Sequence, residues 1–326
     1  MTAPFELGSL FLAPMVALSH RPLRTIVREF GGLDVACTEM TSAAGIVSGS
    51  EFDEAFLDAG PEPERTMLQF YTIKEERLVQ ALELCADRKA MGADINFGCA
   101  APHIERSGGG AAWMERPREA AALVAAARRA WARPLSAKLR IGEEEDYGAL
   151  RDFCQGLVDA GLDFLTLHPR LTREKFRRSS RWDFVGRLAA ELSIPVVGNG
   201  DVRSYSDWRE RTETAKPAGI MIGREAVRRP WIFALIRGRE ADPGFRIEID
   251  LASVAENMLG LMEELLPPEY RLTRARRFFY YYCDNFTFSH HIKWKMQNAP
   301  DLDAMRRELA LYLAEAPADR IKEYRD

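Results

Sequence analysis

Eight short, continuously apolar runs alternate with stretches of helical periodicity, and a final segment lacks such runs. Together these predict a (β/α)8 TIM barrel followed by a small all-α domain. The runs cover 10–16, 35–40, 66–71, 93–98, 135–141, 164–168, 194–200 and 219–223. Unbroken apolar character, in place of a period of two, marks strands buried on both faces of a parallel sheet. Eight such units in about 225 residues match a closed barrel. A doubly wound open sheet would carry a Gly-rich loop after its first strand, and LFLAPMVAL offers no GxGxxG.

Taken in order, the first run ends in Pro14-Met15 and the second, VACTEM, ends at Glu39-Met40 with Cys37 inside it. The third contains Gln69. In the stretch that follows, Leu78, Ala81, Leu82 and Cys85 recur at the i, i+3, i+4, i+7 spacing of one buried helix face. The fourth run carries Asn96, with Cys99 just beyond it. Pro134 and Pro195 sit where the fifth and seventh strands begin, a place where a strand tolerates the missing N–H. The fifth holds Lys138 and Arg140, the sixth ends at His168, the seventh leads into Asn199-Gly200-Asp201, and the eighth into Gly223-Arg224. After Glu240 the tripeptide Asp242-Pro243-Gly244 punctuates the chain. Helical stretches then cover 251–266, 271–288 and 301–315, separated by Pro267-Pro268 and Pro300, with no further strand-like run. The expected division is a barrel over 1–240 and a helical domain over 241–326.

Composition narrows the class. The 326 residues are 47% hydrophobic and 29% charged, as in a soluble globule. No apolar run reaches the ~18–20 residues of a membrane span. The first residues lack a positive leader and include Glu6, which argues against a secretory signal. Five scattered cysteines without a CxxC pair read as reduced thiols, so a cytoplasmic location is expected. His20, His103, His290 and His291 have no metal-ligand spacing, and no metal is expected. A net charge of −4 excludes a globally basic nucleic-acid binder but not a local basic patch.

A barrel does its chemistry at the C-terminal ends of its strands. In this register those ends carry Pro14, Met15, Gln69, Asn96, Cys99, Lys138, Arg140, His168, Asn199, Gly200, Asp201, Gly223 and Arg224. The GNGD and GRE loops follow the seventh and eighth strands, where barrels bind phosphate through backbone N–H groups. Lys138 offers a fixed positive charge, and Gln69 and Asn96 offer amides suited to a heterocycle edge. Phosphate loops, amides and a lysine point to flavin mononucleotide. Cys99 is a candidate nucleophile or proton donor because its loop sets it at the rim, whereas Cys37, Cys85 and Cys154 lie in core positions. The stretch 170–182, RLTREKFRRSSRW, contributes Arg170, Arg173, Lys175, Arg177, Arg178 and Arg181 as candidate nucleic-acid contacts. The tail adds Arg271, Arg274, Arg276 and Arg277 and the cluster Phe278-Phe279-Tyr280-Tyr281-Tyr282, in which core packing is expected for most rings and base stacking for any exposed one.

These motifs, in this order, resemble the tRNA-dihydrouridine synthases. LAPMVALSHRPLR, CTEMTSA, INFGCAAP with RSGGGAAWMERP, AKLRIG, LHPR, VVGNGDV and IMIGREAVRRPWIF carry the resemblance from about residue 10 to 235. Three positions depart from the family pattern: Ala100 after the cysteine, Pro169 after the histidine, and Phe176 in the basic loop. The resemblance implies reduction of the C5–C6 bond of a uridine in folded tRNA, with FMN as cofactor and NADPH as electron source. Hydride reaches C6 and Cys99 protonates C5. Pro14, Met15, Gln69, Lys138, His168, Asn199, Gly200, Asp201, Gly223 and Arg224 hold the flavin, with the Asp201 N–H rather than its carboxylate toward the phosphate. Asn96, Arg140, Arg170 and Arg173 contact the RNA substrate, and no obligate protein partner is implied. Three other readings of the residues remain open: an FMN-dependent reductase of small molecules such as dihydroorotate, a non-catalytic RNA-binding barrel, and a phosphosugar barrel without flavin.

Overall fold

The structure is a computed structural model that describes residues 7–174 and 177–326. Lys175 and Phe176, read above as part of the basic loop, lie outside the described residues. The chain divides into two compact units, one formed by the chain through Pro14 with Asp34–Val202 and Asp207–Ile222, the other by Met15–Leu33, Arg203–Ser206 and Gly223–Asp326.

The first unit contains eight parallel strands: β1 (Leu10–Leu12), β2 (Val35–Cys37), β3 (Thr66–Tyr71), β4 (Gly92–Phe97), β5 (Leu135–Leu139), β6 (Phe164–Leu167), β7 (Val196–Asn199) and β8 (Gly219–Ile222). Each pairs with the next in chain order, and β8 pairs with β1, so the sheet closes into a barrel. A two-residue piece, Thr41–Ser42, adds beside β3. Seven of the predicted runs contain one of these strands, and the fourth strand begins one residue before its run. The observed strands stop before the polar residues that end several runs, so those residues start the loops of the barrel mouth.

The helices form for local reasons that the sequence contains. In Glu75–Leu84, Leu78, Ala81 and Leu82 are buried, while Pro at the first turn and an alanine-rich stretch start Pro117–Ala130. Asp146 caps Tyr147–Asp159 by accepting the Ala149 N–H. At the opposite rim, aspartates tie neighbouring strands. Asp34 Oδ2 accepts the N–H groups of Ser9 (2.7 Å) and Leu10 (2.9 Å), and Asp163 Oδ2 accepts that of Leu135 (2.7 Å).

The second unit is mainly helical, with Arg21–Phe30, Arg224–Arg228, Ile232–Ala241, Leu251–Leu265, Pro268–Tyr282, Ser289–Asn298 and Leu302–Glu315. It differs from the sequence expectation in two ways. An antiparallel ribbon joins β9 (Ile247–Asp250) to β10 (Ile321–Tyr324). A search for apolar runs misses it, because IEID and IKEY alternate charged with apolar residues and lie mostly at the surface. The helix expected over 271–288 ends at Tyr282. There the Asn285 side chain donates to the carbonyls of Tyr282 (2.9 Å) and Arg228 (2.6 Å), and the backbone turns extended at Phe286. Phe278, Phe279 and Tyr282 fill the core of this unit, and the Tyr282 hydroxyl donates to the Leu251 carbonyl at 2.7 Å, whereas Tyr280 is 52% exposed. Most of the aromatic cluster is thus core, as expected.

Replacing Asp34 by alanine would leave two strand amides without their acceptor, one of them buried. It is expected to cost about 1–3 kcal/mol in urea unfolding, with Asp34→Asn retaining most of the stability.

Candidate active site

Along β4, Phe97 packs its ring 6.3 Å from Trp113 and 6.2 Å from Phe153, on the helical side of the strand. Side chains alternate along a strand, so Asp94 and Asn96 face the barrel interior. Strand register then assembles two polar layers. Gln69, Asp94 and Ser136 lie side by side, and Asn96, Lys138 and Thr166 form the next layer toward the mouth. The Asp94 carboxylate accepts hydrogen bonds from Gln69 Nε2 (2.6 Å) and Ser136 Oγ (2.5 Å). Gln69 Oε1 in turn accepts from Asn96 Nδ2 at 3.0 Å.

Asn96 reaches the cysteine loop. Its Oδ1 accepts the N–H groups of Gly98 (3.1 Å) and Cys99 (2.8 Å), while the Cys99 carbonyl accepts the Ala111 N–H at 3.0 Å. The returning chain comes close enough to require glycine. At Gly110 φ is +57°, and a Cβ would lie 2.5 Å from the Cys99 oxygen. The thiol is half-buried, the other four cysteines are buried, and burial pushes the Cys99 thiol above its ordinary value of 9.0. The Ala101 N–H and the Arg140 charge offset part of that rise.

Lys138 makes no hydrogen bond or ion pair with any of the described residues. Burial, and then the repulsion of Arg140, lower its ammonium to about 8 against the pull of Asp94. Arg140 itself spends its guanidinium on backbone. Nε donates to the Gly98 carbonyl (3.1 Å) and Nη1 to that of Leu171 (3.4 Å), which ties the loops after β4 and β6 together.

The loop after β6 corrects one expectation. Arg170, expected to contact RNA, is 2% exposed and its guanidinium is used internally. Nη2 binds both Asp201 oxygens (2.5 and 2.6 Å), Nη1 lies 3.2 Å from His168 Nε2, and Nε donates to the Arg178 carbonyl at 2.5 Å. The charge run therefore contains a buried ion pair that a one-dimensional count of arginines cannot separate from a surface patch. Burial alone would raise the Asp201 carboxyl, but the Ser180 N–H (2.7 Å) and Arg170 outweigh it and hold the group below its ordinary range. Arg181 pairs with Glu174 and Glu145. Arg173 is exposed and bonds the Glu143 carbonyl at 2.6 Å, whereas the side chains of Arg177 and Arg178 are exposed and make no ion pair with the described residues.

Asn199 Nδ2 donates to the Met221 carbonyl at 2.7 Å, joining β7 to β8, and Gly200 follows at φ +128°. A Cβ at Gly200 would lie 2.3 Å from Ser180 Oγ and 3.0 Å from the His168 ring. Two hydroxyls of this region, Ser180 Oγ and Thr166 Oγ1, are buried without a hydrogen-bond partner among the described residues. Pro14 follows β1 in the first unit. Met15, Gly223 and Arg224 belong to the second, where the Met15 N–H donates to Ser19 Oγ (2.8 Å) and Gly223 precedes the helix Arg224–Arg228.

The first unit thus gathers Gln69, Asn96, Cys99, Lys138, Arg140, His168, Arg170, Asn199, Gly200 and Asp201 on the β3–β7 side of one barrel mouth. Sequence reasoning missed Asp94, Ser136, Thr166 and Ser180. The available signal was Asp94 two residues before Asn96 within an otherwise apolar run, which places both on one face.

A family model described as dihydrouridine synthase matches residues 11–316. A probable tRNA-dihydrouridine synthase of Aquifex aeolicus is 29% identical over 272 residues, covering 81% of this chain and 83% of that protein. A tRNA-dihydrouridine(16) synthase of Cupriavidus necator is 31% identical over 240 residues, covering 71% and 74%. Among solved structures, morphinone reductase superposes with a TM-score of 0.52 at 11% identity, covering 71% of this chain and 85% of that one, a likeness of fold alone.

Cys99 is the one cysteine that iodoacetamide is expected to reach in the native protein. Because the thiolate is the nucleophile and burial raises the thiol, labelling should accelerate with pH through a midpoint above 9.0, as followed by peptide mass spectrometry.

Proposed function

The chain belongs to the dihydrouridine synthase family, and from that premise we propose that it reduces the C5–C6 double bond of a uridine in tRNA, with FMN as prosthetic group and NADPH as electron source. The observation that carries this reading is the Cys99 thiol. It is half-buried, anchored through its backbone by Asn96, and held protonated at neutral pH by burial.

The residues fit a flavin mononucleotide. Lys138 has an ammonium without a partner among the described residues, Gln69 keeps a second amide N–H beyond the one given to Asp94, and the orphaned Ser180 and Thr166 hydroxyls await acceptors or donors. Pro14, Gln69, Lys138, His168, Asn199, Gly200 and Asp201 would hold the group. The Asp201 carboxylate, already engaged by Arg170, leaves the contact to an anion to its backbone N–H. Bound there, a flavin would supply two-electron hydride chemistry.

The remaining work falls to the protein. The Cys99 thiol gives its proton to C5, and the thiolate left behind recovers one from solvent. Lys138, charged below about 8, stabilises negative charge developing on the O4 side of the ring. Arg140 contributes from its anchored position, and Asn96 retains one N–H for the base edge.

RNA binding draws on exposed groups. Arg173, Arg177 and Arg178 contribute from the first unit. The second unit presents Arg277, Tyr280 and Trp294 on its surface, with the Lys293 ammonium 4.7 Å from the Tyr280 ring centre. Cations and open aromatic faces suit phosphates and unstacked bases. The proposed division of labour is a catalytic barrel over 1–240 and RNA-recognition helices over 241–326, working in the cytoplasm.

Incubation with NADPH and tRNA from cells lacking the protein should yield dihydrouridine, read by mass spectrometry of nucleosides. Cys99→Ala should lower the rate by about 100-fold or more. Turnover of free uracil or orotate with none of tRNA would instead mark a small-molecule reductase. A lysine whose value is lowered loses its charge as pH rises, so the rate should fall through about pH 8. Lys138→Arg should carry that limb to higher pH, as a pH–rate profile would record.

A further inference from the structure

Asp94 lies below the residues that face substrate, buried between β3 and β5, and the reading of Cys99 as proton donor gives it no role. Its contacts nevertheless have a direction. An ionised carboxylate only accepts hydrogen bonds. Burial raises the Asp94 carboxyl, the hydrogen bonds from Gln69 and Ser136 and the Lys138 charge oppose that rise, and in the ionised form the group of Gln69 at 2.6 Å is its nitrogen, which turns Gln69 Oε1 toward Asn96. That oxygen accepts from Asn96 Nδ2 at 3.0 Å, so the Asn96 oxygen points at the Gly98 and Cys99 amides, at 3.1 and 2.8 Å. Reversing either amide alone would set oxygen against oxygen or N–H against N–H on both of its sides. Ser136 Oγ, 2.5 Å from the other carboxylate oxygen, fixes the rotation of the carboxylate itself. Asp94 and Ser136 are 3% and 1% exposed, so bulk solvent does not compete for these contacts.

We propose that Asp94 is a positioning residue: through Gln69 and Asn96 it sets the polarity of a hydrogen-bond chain that fixes the Cys99 backbone and thereby the direction in which the thiol is presented. The inference rests on the catalytic reading of Cys99, but its structural half is independently measurable.

The test is the rate of Cys99 alkylation by iodoacetamide in the native protein, read by peptide mass spectrometry, beside dihydrouridine formation. Asp94→Leu keeps the branched shape, with larger methyl groups in place of the oxygens, and removes the acceptor. Asp94→Asn removes the charge but still accepts from Gln69 through its carbonyl while donating to Ser136. Asp94→Leu is expected to speed Cys99 labelling by about threefold or more as the loop loses its tether, and to lower kcat by about tenfold or more at unchanged KM for tRNA. Asp94→Asn should restore both toward wild type. Labelling of Asp94→Leu within about twofold of wild type would overturn the proposal. So would an Asp94→Asn variant that matches Asp94→Leu, since a lost charge would then explain the effect. Should Asp94→Leu fail to fold, Gln69→Met breaks the same chain at its middle link and is expected to speed labelling equally; wild-type labelling in that variant would likewise refute it. If the wild-type protein makes no dihydrouridine, the functional reading falls, while the labelling comparison still decides the role of Asp94.

Discussion

One primary amide, that of Asn96, stands between the barrel wall and its thiol. Its oxygen holds two consecutive N–H groups of the cysteine loop and its nitrogen is held by Gln69. A loop restrained only by its own turns would let Cys99 sample many directions. Tied to a side chain rooted in β4, it inherits the rigidity of a closed sheet. The reach of Gly110 over the Cys99 carbonyl closes the other side, and only a residue without Cβ allows that approach. A thiol that must meet one face of a flat ring needs this kind of restraint, because small misplacements cost large factors in rate.

Placing a polar cluster inside a barrel is costly unless every member finds a partner. Around Asp94 the requirement is met. Two donors converge on the carboxylate, and the layer above spends its amides on one another and on backbone. It is relaxed in a few places nearer the mouth, at Lys138, Thr166 and Ser180. Satisfied groups deep in the lumen and unsatisfied ones above them are the arrangement expected where a polar ligand completes the network. The same gradient separates two kinds of arginine. Arg140 and Arg170 are structural cations bound to carbonyls and to Asp201, while Arg177 and Arg178 leave their charge at the surface.

Much of the architecture could be read from the chain because burial on both faces of a strand is a local property. Eight apolar runs became eight strands in the expected order, and the polar residues that close several of them begin the loops beyond the strands. Cys99 stood out by its loop, and Lys138 by its place late in an apolar run. The ribbon of β9 and β10 escaped notice, since strands of mixed character at a surface leave no apolar signature.

Hydrophobic patterning located the eight strands, and their number, with no Gly-rich loop after the first, indicated the barrel, because burial on both faces is read along the chain itself. Tertiary structure decided the partners. Gln69 meets Asp94 across 25 residues of chain, Ser136 meets Asp94 across 42, and Arg170 meets Asp201 across 31. Whether an arginine is a buried strut or a free surface charge, and which end of an amide faces a thiol loop, depends on the register that aligns such distant residues. Periodicity along one strand reports its buried face and carries no information about what lies opposite.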